Sequence, residues 1–178
     1  MKKIIKRISA LSLVVFMVVG CAKNESFHIP AAKGDLDTLK AELDEGRDID
    51  SRDAAGQTAL MYAAETGQME VVKYLVSNGA DVNARSKGIG RGTALIYAAS
   101  SNRLVVMEYL IERGAEVNAM TQARETALFW AAANGHTEAI KILLKNGADA
   151  GLKNQNGETA LDVAKQLNRN KVIELLEN

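Results

Sequence analysis

Apolar residues in this chain come in paired short runs with helical spacing. Leu60, Ala63 and Ala64 lie at i, i+3 and i+4, which is one face of a helix. Val71, Val72, Leu75 and Val76 make a second stripe a little further on. Gly67 separates them and predicts a helix stop, because glycine tolerates the left-handed conformation that a stop requires. Asn78-Gly79 predicts the end of the second helix. The second stripe returns as Val105, Val106, Leu110 and Ile111, and again as Ala139, Ile140, Leu143 and Leu144. The pattern predicts helix pairs with polar turns between them. The paired alanines let first helices of neighbouring pairs approach closely.

The pairs are copies of one unit. Thr58-Ala59-Leu60, Thr93-Ala94-Leu95, Thr126-Ala127-Leu128 and Thr159-Ala160-Leu161 recur at near-equal steps, 35 and then 33 twice. A second landmark keeps step: Gly79-Ala80-Asp81-Val82-Asn83, Gly114-Ala115-Glu116-Val117-Asn118 and Gly147-Ala148-Asp149-Ala150. Counting back one shorter step from Gly79 and from Gly67 reaches Gly46-Arg47-Asp48-Ile49-Asp50 and Gly34, degenerate copies of the same marks. The units run about 25–56, 57–91, 92–124, 125–157 and 158–178. A period of this size belongs to a stacked solenoid, in which each unit buries its apolar face against its neighbours.

These motifs resemble the ankyrin repeat, which has a turn, a helix opening near Thr-Pro-Leu-His, a glycine break, a second helix and then Gly-Ala-Asp-Val-Asn. The resemblance implies an all-α solenoid of helix-turn-helix units with β-hairpin-type tips, about five repeats, over residues 26–178. This chain departs from the family pattern in three ways. Alanine stands in place of proline in all four phrases, and the following histidine is Met61, Ile96, Phe129 or Asp162. Because that histidine helps tie adjacent turns, its loss predicts a less rigid array. Asn102 and Asn168 replace the mid-repeat glycine, a mild change since asparagine also enters the left-handed region. Charged residues around Leu36, Leu39 and Leu43, and around Val172, Ile173 and Leu176, suit terminal caps, which a solenoid needs for solubility.

The first residues read as an address. Lys2, Lys3, Lys6 and Arg7 precede an apolar run, Ile8 to Val19. The run is shorter than the roughly 20 residues a membrane span needs, and it fits a secretory signal. It closes on Val18-Val19-Gly20-Cys21, which resembles the bacterial lipobox. The resemblance implies a signal peptide over 1–20, lipidation of Cys21, the only cysteine, and a short tether over 21–25. The expected place is the cell envelope. Ala22, where aspartate retains such proteins at the inner membrane, points to the outer membrane facing the periplasm if the source is Gram-negative.

The full chain carries 22 basic and 22 acidic residues. Loss of the leader removes four basic ones and leaves 18 against 22. An acidic domain argues against nucleic acid as a partner, because phosphate binding needs a basic footprint. Candidate chemistry is sparse. Neither of the two histidines, His28 and His136, sits at metal-ligand spacing to another histidine or cysteine. There is no Gly-x-Ser-x-Gly elbow and no phosphate loop. The expectation is a protein that is not an enzyme, takes no cofactor or metal and has no small-molecule substrate.

Two features suggest a binding surface. Tyr62, Tyr97 and Trp130 hold the same place in successive units, each preceded by a large apolar residue: Met61, Ile96 and Phe129. They read either as packing between units or as part of an inner groove, where Trp and Tyr are favoured. By analogy with ankyrin domains, partners meet the ends of the first helices, including Glu65 and Asn134, and the tips, including Lys87, Arg91, Glu125 and Gln155. The second feature is Arg85-Ser86-Lys87-Gly88-Ile89-Gly90-Arg91-Gly92, the segment that lengthens the first step from 33 to 35. It reads as a longer hairpin tip, or as a basic finger for an acidic partner or lipid headgroups. The implied function is a membrane-anchored module that scaffolds or inhibits another protein. Alternatives are immunity against a periplasmic toxin, or a lipid-surface or small-ligand sensor built on the basic loop 85–92.

Overall fold

A computed structural model describes residues 27–87 and 92–177. Within them lie ten helices: α1 (His28–Lys33), α2 (Leu36–Asp44), α3 (Ala59–Thr66), α4 (Met69–Ser77), α5 (Ala94–Ser100), α6 (Leu104–Glu112), α7 (Ala127–Asn134), α8 (Thr137–Lys145), α9 (Ala160–Gln166) and α10 (Asn170–Glu177). Odd-numbered helices stack on one another in chain order and form the inner row. Even-numbered helices back them as an outer row. Among the described residues no extended strand forms; the tips are hydrogen-bonded turns, with one isolated antiparallel bridge, Arg52 to Thr58.

The repeated phrase starts each inner helix from α3 onward. Thr93, Thr126 and Thr159 are extended N-caps whose hydroxyls accept from the backbone N–H at the third helical position, at 3.5, 3.3 and 3.2 Å. In the last unit Asp162 completes a reciprocal capping box by accepting from Thr159 N–H at 2.9 Å. Thr58 differs: its hydroxyl has no partner, and its N–H donates to the Met61 sulfur at 3.4 Å. The inner helices stop at Gly67 and Gly135 with φ of 82° and 80°. Asn102 and Asn168 take the same turn at φ 55°, as expected of asparagine in place of glycine.

The core lies between the two rows. Leu60, Leu95 and Leu128 are buried, each contributing about 1.5–3 kcal/mol. The paired alanines Ala63-Ala64, Ala98-Ala99 and Ala131-Ala132 are sealed at the inner-helix contacts, where a larger side chain would push the stack apart. One sequence-based expectation fails in the third unit. Hydrophobic spacing places Val105 in the apolar stripe, yet it is 65 % exposed, and Met107 is buried in its stead. The reason is the longer step. Counted across it, Val71 and Val72 correspond to Val106 and Met107, so the stripe starts one residue later than simple hydrophobicity suggests.

Three ladders of side-chain hydrogen bonds join the units. Gln68, Arg103, His136 and Arg169, each at the start of an outer helix or its cap, reach back to the carbonyls of Ala32, Glu65, Ser100 and Ala133 at 3.2, 2.9, 3.1 and 2.9 Å. His136 is thus a structural donor. On the opposite loops Asn83 accepts from Glu116 N–H at 2.9 Å and donates to the Gly114 carbonyl at 3.0 Å. Asn118 repeats this with Asp149 N–H at 2.9 Å and Gly147 at 3.0 Å. Asp50 holds the corresponding place one unit earlier and can only accept, with both oxygens 3.1 Å from Asp81 N–H.

Candidate partner-binding face

The tips form the third ladder. Asp53 N–H donates to the Gln57 carbonyl at 3.0 Å, Ser86 to Gly92 at 3.0 Å, Thr121 to Glu125 at 2.9 Å and Asn154 to Glu158 at 2.9 Å. Neighbouring tips are tied across units. Arg52 donates to the carbonyls of Gly56 and Arg85, and Arg85 donates to Met120 at 2.7 Å while its guanidinium pairs with Glu116 at 3.2 Å. Gln155 donates through its backbone to Ala123 at 2.9 Å and through its amide to Gln122 at 2.6 Å. Gly56 has φ 73°, and a Cβ there would lie 2.4 Å from the backbone of Lys87, so the close stacking of these two tips requires glycine. Turn-to-turn ties therefore exist without the family histidine in these units.

The inner helices meet the tips through the aromatic column. The Tyr62 hydroxyl donates to the Asp53 carboxylate at 2.7 Å. The hydroxyls of Tyr97 and Ser86 lie 3.3 Å apart. Burial and then the Asp53 hydrogen bond push the Tyr62 phenol up to about 12. Burial works to raise the Asp53 carboxyl, but the Tyr62 hydroxyl and the Gln57 amide outweigh it and hold it below its ordinary value. The Trp130 indole N–H is buried and closes no hydrogen bond of good geometry. It still favours the charged form of Glu125, whose carboxyl is pushed up by burial and then by the charge of Glu158.

The structure separates the candidate residues into two sets. Met61, Phe129 and Ile96 are buried; Met61 and Ile96 pack in the core, and Ile96 also edges the face. Tyr62, Tyr97 and Trp130 are half-buried and pack against the core. Glu65 is also half-buried, and Asn134 is exposed and spans to the preceding inner helix, donating to the Ser100 carbonyl at 3.0 Å. Lys87 and Gln155 are exposed at the tips, and Glu125 is half-buried. Cys21 and Arg91 lie outside the described residues.

Among the described residues, two clefts open along this face. One, about 340 Å³, is lined by His28, Ile29, Ala32, Lys33, Asp53, Ala54 and Tyr62. The other, about 150 Å³, is lined by Glu65, Gly92, Ile96, Tyr97, Ser100, Thr121 and Trp130. Gly92 lets the Tyr97 ring lie against the tip, since a Cβ there would be 3.2 Å from the ring edge. Sequence reasoning missed the first cleft. Ile29 stands one repeat before Tyr62 and continues the column with an apolar side chain 53 % exposed. His28 stands one repeat before Met61 and is buried. It meets the Ser51 carbonyl at 3.3 Å and the Tyr62 ring at 5.5 Å between centroids. Counting back one period from Met61 and Tyr62 would have found both.

The comparisons with known proteins agree with this architecture. The family described as ankyrin repeats (3 copies) matches residues 27–121 and 116–178. Among curated proteins, ankyrin repeat domain-containing protein 29 of Danio rerio is 48 % identical over 54 residues, which is 30 % of this chain and 18 % of that protein. A probable E3 ubiquitin-protein ligase, XBOS33, of Oryza sativa subsp. japonica is 45 % identical over 53 residues, 30 % of this chain and 10 % of that protein. Ankyrin repeat family A protein 2 of Homo sapiens is 39 % identical over 67 residues, 38 % of this chain and 21 % of that protein. The aligned segments thus span about a fifth or less of these relatives, and what they share with this chain is the repeat. With the stacked helix pairs and the family match across the whole described region, the chain belongs to the ankyrin repeat family.

Proposed function

We propose that this protein is a membrane-anchored binding module that holds or occludes a protein partner in the cell envelope. Ankyrin repeats are generally a protein-interaction fold, and the binding reading starts there. The observation that carries it furthest is the column Ile29, Tyr62, Tyr97 and Trp130. These side chains stay partly exposed on the inner row, beside two clefts. Large, partly exposed side chains on a fixed scaffold lose little entropy on binding, and Trp and Tyr are enriched among residues that dominate interface energy. The anchoring part of the proposal rests on the leader and Cys21. Three acyl chains on that cysteine, as in proteins with this kind of leader, would make attachment effectively permanent, since each buried CH₂ adds about 0.8 kcal/mol.

The basic-loop alternative has fewer free cations than the sequence suggests. Arg85 is committed to Glu116 and the Met120 carbonyl, which among the described residues of the loop leaves Lys87 for an anionic surface. The test of the main reading is capture from envelope extract with the full-length chain, beside a Trp130→Ala variant shown to be folded by circular dichroism. A partner held by the native chain and lost by the variant is the expected result. Equal capture by both would remove the concave face from the proposal. The captured protein's own activity, assayed with and without this chain, separates scaffolding from inhibition. For the anchor, Cys21→Ala is expected to leave an unprocessed or mislocalised precursor, and normal processing with membrane attachment would refute lipidation.

A further inference from the structure

We infer that the cleft between Tyr97 and Trp130 receives a cationic side chain, arginine or lysine, from the protein partner. This rests on the binding-module reading and narrows it to one kind of contact. The two aromatic residues come from neighbouring inner helices, α5 and α7, and Glu65 of α3 brings a carboxylate to the same cleft. The faces of Tyr and Trp rings attract cations through their quadrupole, with Trp the stronger. A carboxylate beside them adds the opposite charge that fixes such a ligand.

The local charge balance favours that occupant. Among the described residues no lysine or arginine lines the cleft. The Glu65 side chain enters no ion pair or hydrogen bond among the described residues. Arg103 reaches Glu65 only through the backbone, with its Nε donating to the Glu65 carbonyl at 2.9 Å. The nearby tips carry further carboxylates, Glu125 and Glu158, close enough for each to feel the other's charge. An acidic ligand would be repelled here. A purely apolar one would take water from Glu65 and return nothing. A guanidinium or ammonium meets both the rings and the carboxylate.

Trp130 is the only tryptophan of the chain, so its fluorescence reports on this cleft directly. The probes are two matched pairs of capped tripeptides with glycine on both sides: arginine against citrulline, and lysine against acetyl-lysine. Each pair keeps shape and changes charge. The expected result is a saturable change in Trp130 fluorescence on titrating the full-length chain, with at least one cationic peptide preferred roughly tenfold over its neutral mate. Glu65→Gln, which keeps the size of the side chain and removes its charge, should abolish most of that preference. Equal response to charged and neutral peptides, no saturable response to either cation, or an undiminished preference in Glu65→Gln would each overturn the inference. In the envelope capture, loss of the partner with Glu65→Gln supports the cation contact. Retention by that variant overturns the contact while leaving the binding module standing, whereas absence of any partner for the native chain strikes the binding module itself.

Discussion

Asp50→Asn should stabilise this protein, by an amount set by its ladder. Asn83 and Asn118 each accept one backbone N–H of the next unit and return an amide hydrogen to a glycine carbonyl at 3.0 Å. Asp50 performs the first task, with both oxygens 3.1 Å from Asp81 N–H, but a carboxylate has no hydrogen to return. Gly79 is the carbonyl it would serve, since Gly79 stands to Asp50 along the chain as Gly147 stands to Asn118. Burial, then the charges of Asp81 and Asp48, raise the Asp50 carboxyl against the pull of the Asp81 amide. A net hydrogen bond contributes about 0.5–1.5 kcal/mol, and partial exposure of the loop places the gain near 1 kcal/mol. For a domain of this size that is a rise of about 2–4 °C in Tm.

The pH dependence gives the sharper test. A carboxyl whose folded pKa lies above its unfolded value adds stability that is present below the unfolded pKa and lost as pH rises through the folded one. The native chain therefore recovers the deficit on acidification, as a protonated Asp50 regains a hydrogen to donate. Thermal melts of both proteins at neutral pH and near the ordinary carboxylate pKa should show the advantage of Asp50→Asn shrinking in acid. Amide exchange at Asp81 and Ala80 reads the same junction locally, which matters because repeat arrays open unit by unit. No stabilisation at neutral pH, or an advantage that does not change with pH, would refute the reasoning.

Val105→Ala should leave the melting temperature almost unchanged, while Met107→Ala should cost about 2–5 kcal/mol by opening a cavity; denaturant titration of the pair checks the shifted stripe. Tyr62→Phe should cost about 1 kcal/mol at neutral pH by removing the donor to Asp53. Because the Tyr62 phenol is raised to about 12, its contribution is present below pH about 10 and fades toward 12. Ultraviolet titration should show that the Tyr62 phenol ionises late and that its signal vanishes in the variant. Arg124→Gly should raise stability by up to about 1 kcal/mol, because Arg124 sits at φ 61° where the first and fourth units place Gly56 and Gly157. A melt that falls instead would show that the arginine side chain makes a compensating contact.

What the sequence determined by itself was the unit and its local rules. The Thr-Ala-Leu phrase set where inner helices start, because a threonine hydroxyl can cap the turn that follows and leucine must be buried. The glycines and asparagines set where they stop, because few residues accept positive φ. The repeat of those marks implied the stack. Tertiary structure decided what depends on the neighbouring unit. How much of Tyr62, Tyr97 and Trp130 stays exposed depends on how closely the alanine-lined helices approach. Arg85, in the segment that reads from sequence as a longer hairpin tip or a basic finger, is held by Glu116 and Met120 one unit further on. His28 and Ile29 become part of the concave face only once α1 is stacked on α3. Spacing along a chain reports contacts within a unit. Contacts between residues a whole repeat apart depend on the tilt and separation of stacked units, and no periodicity carries that information.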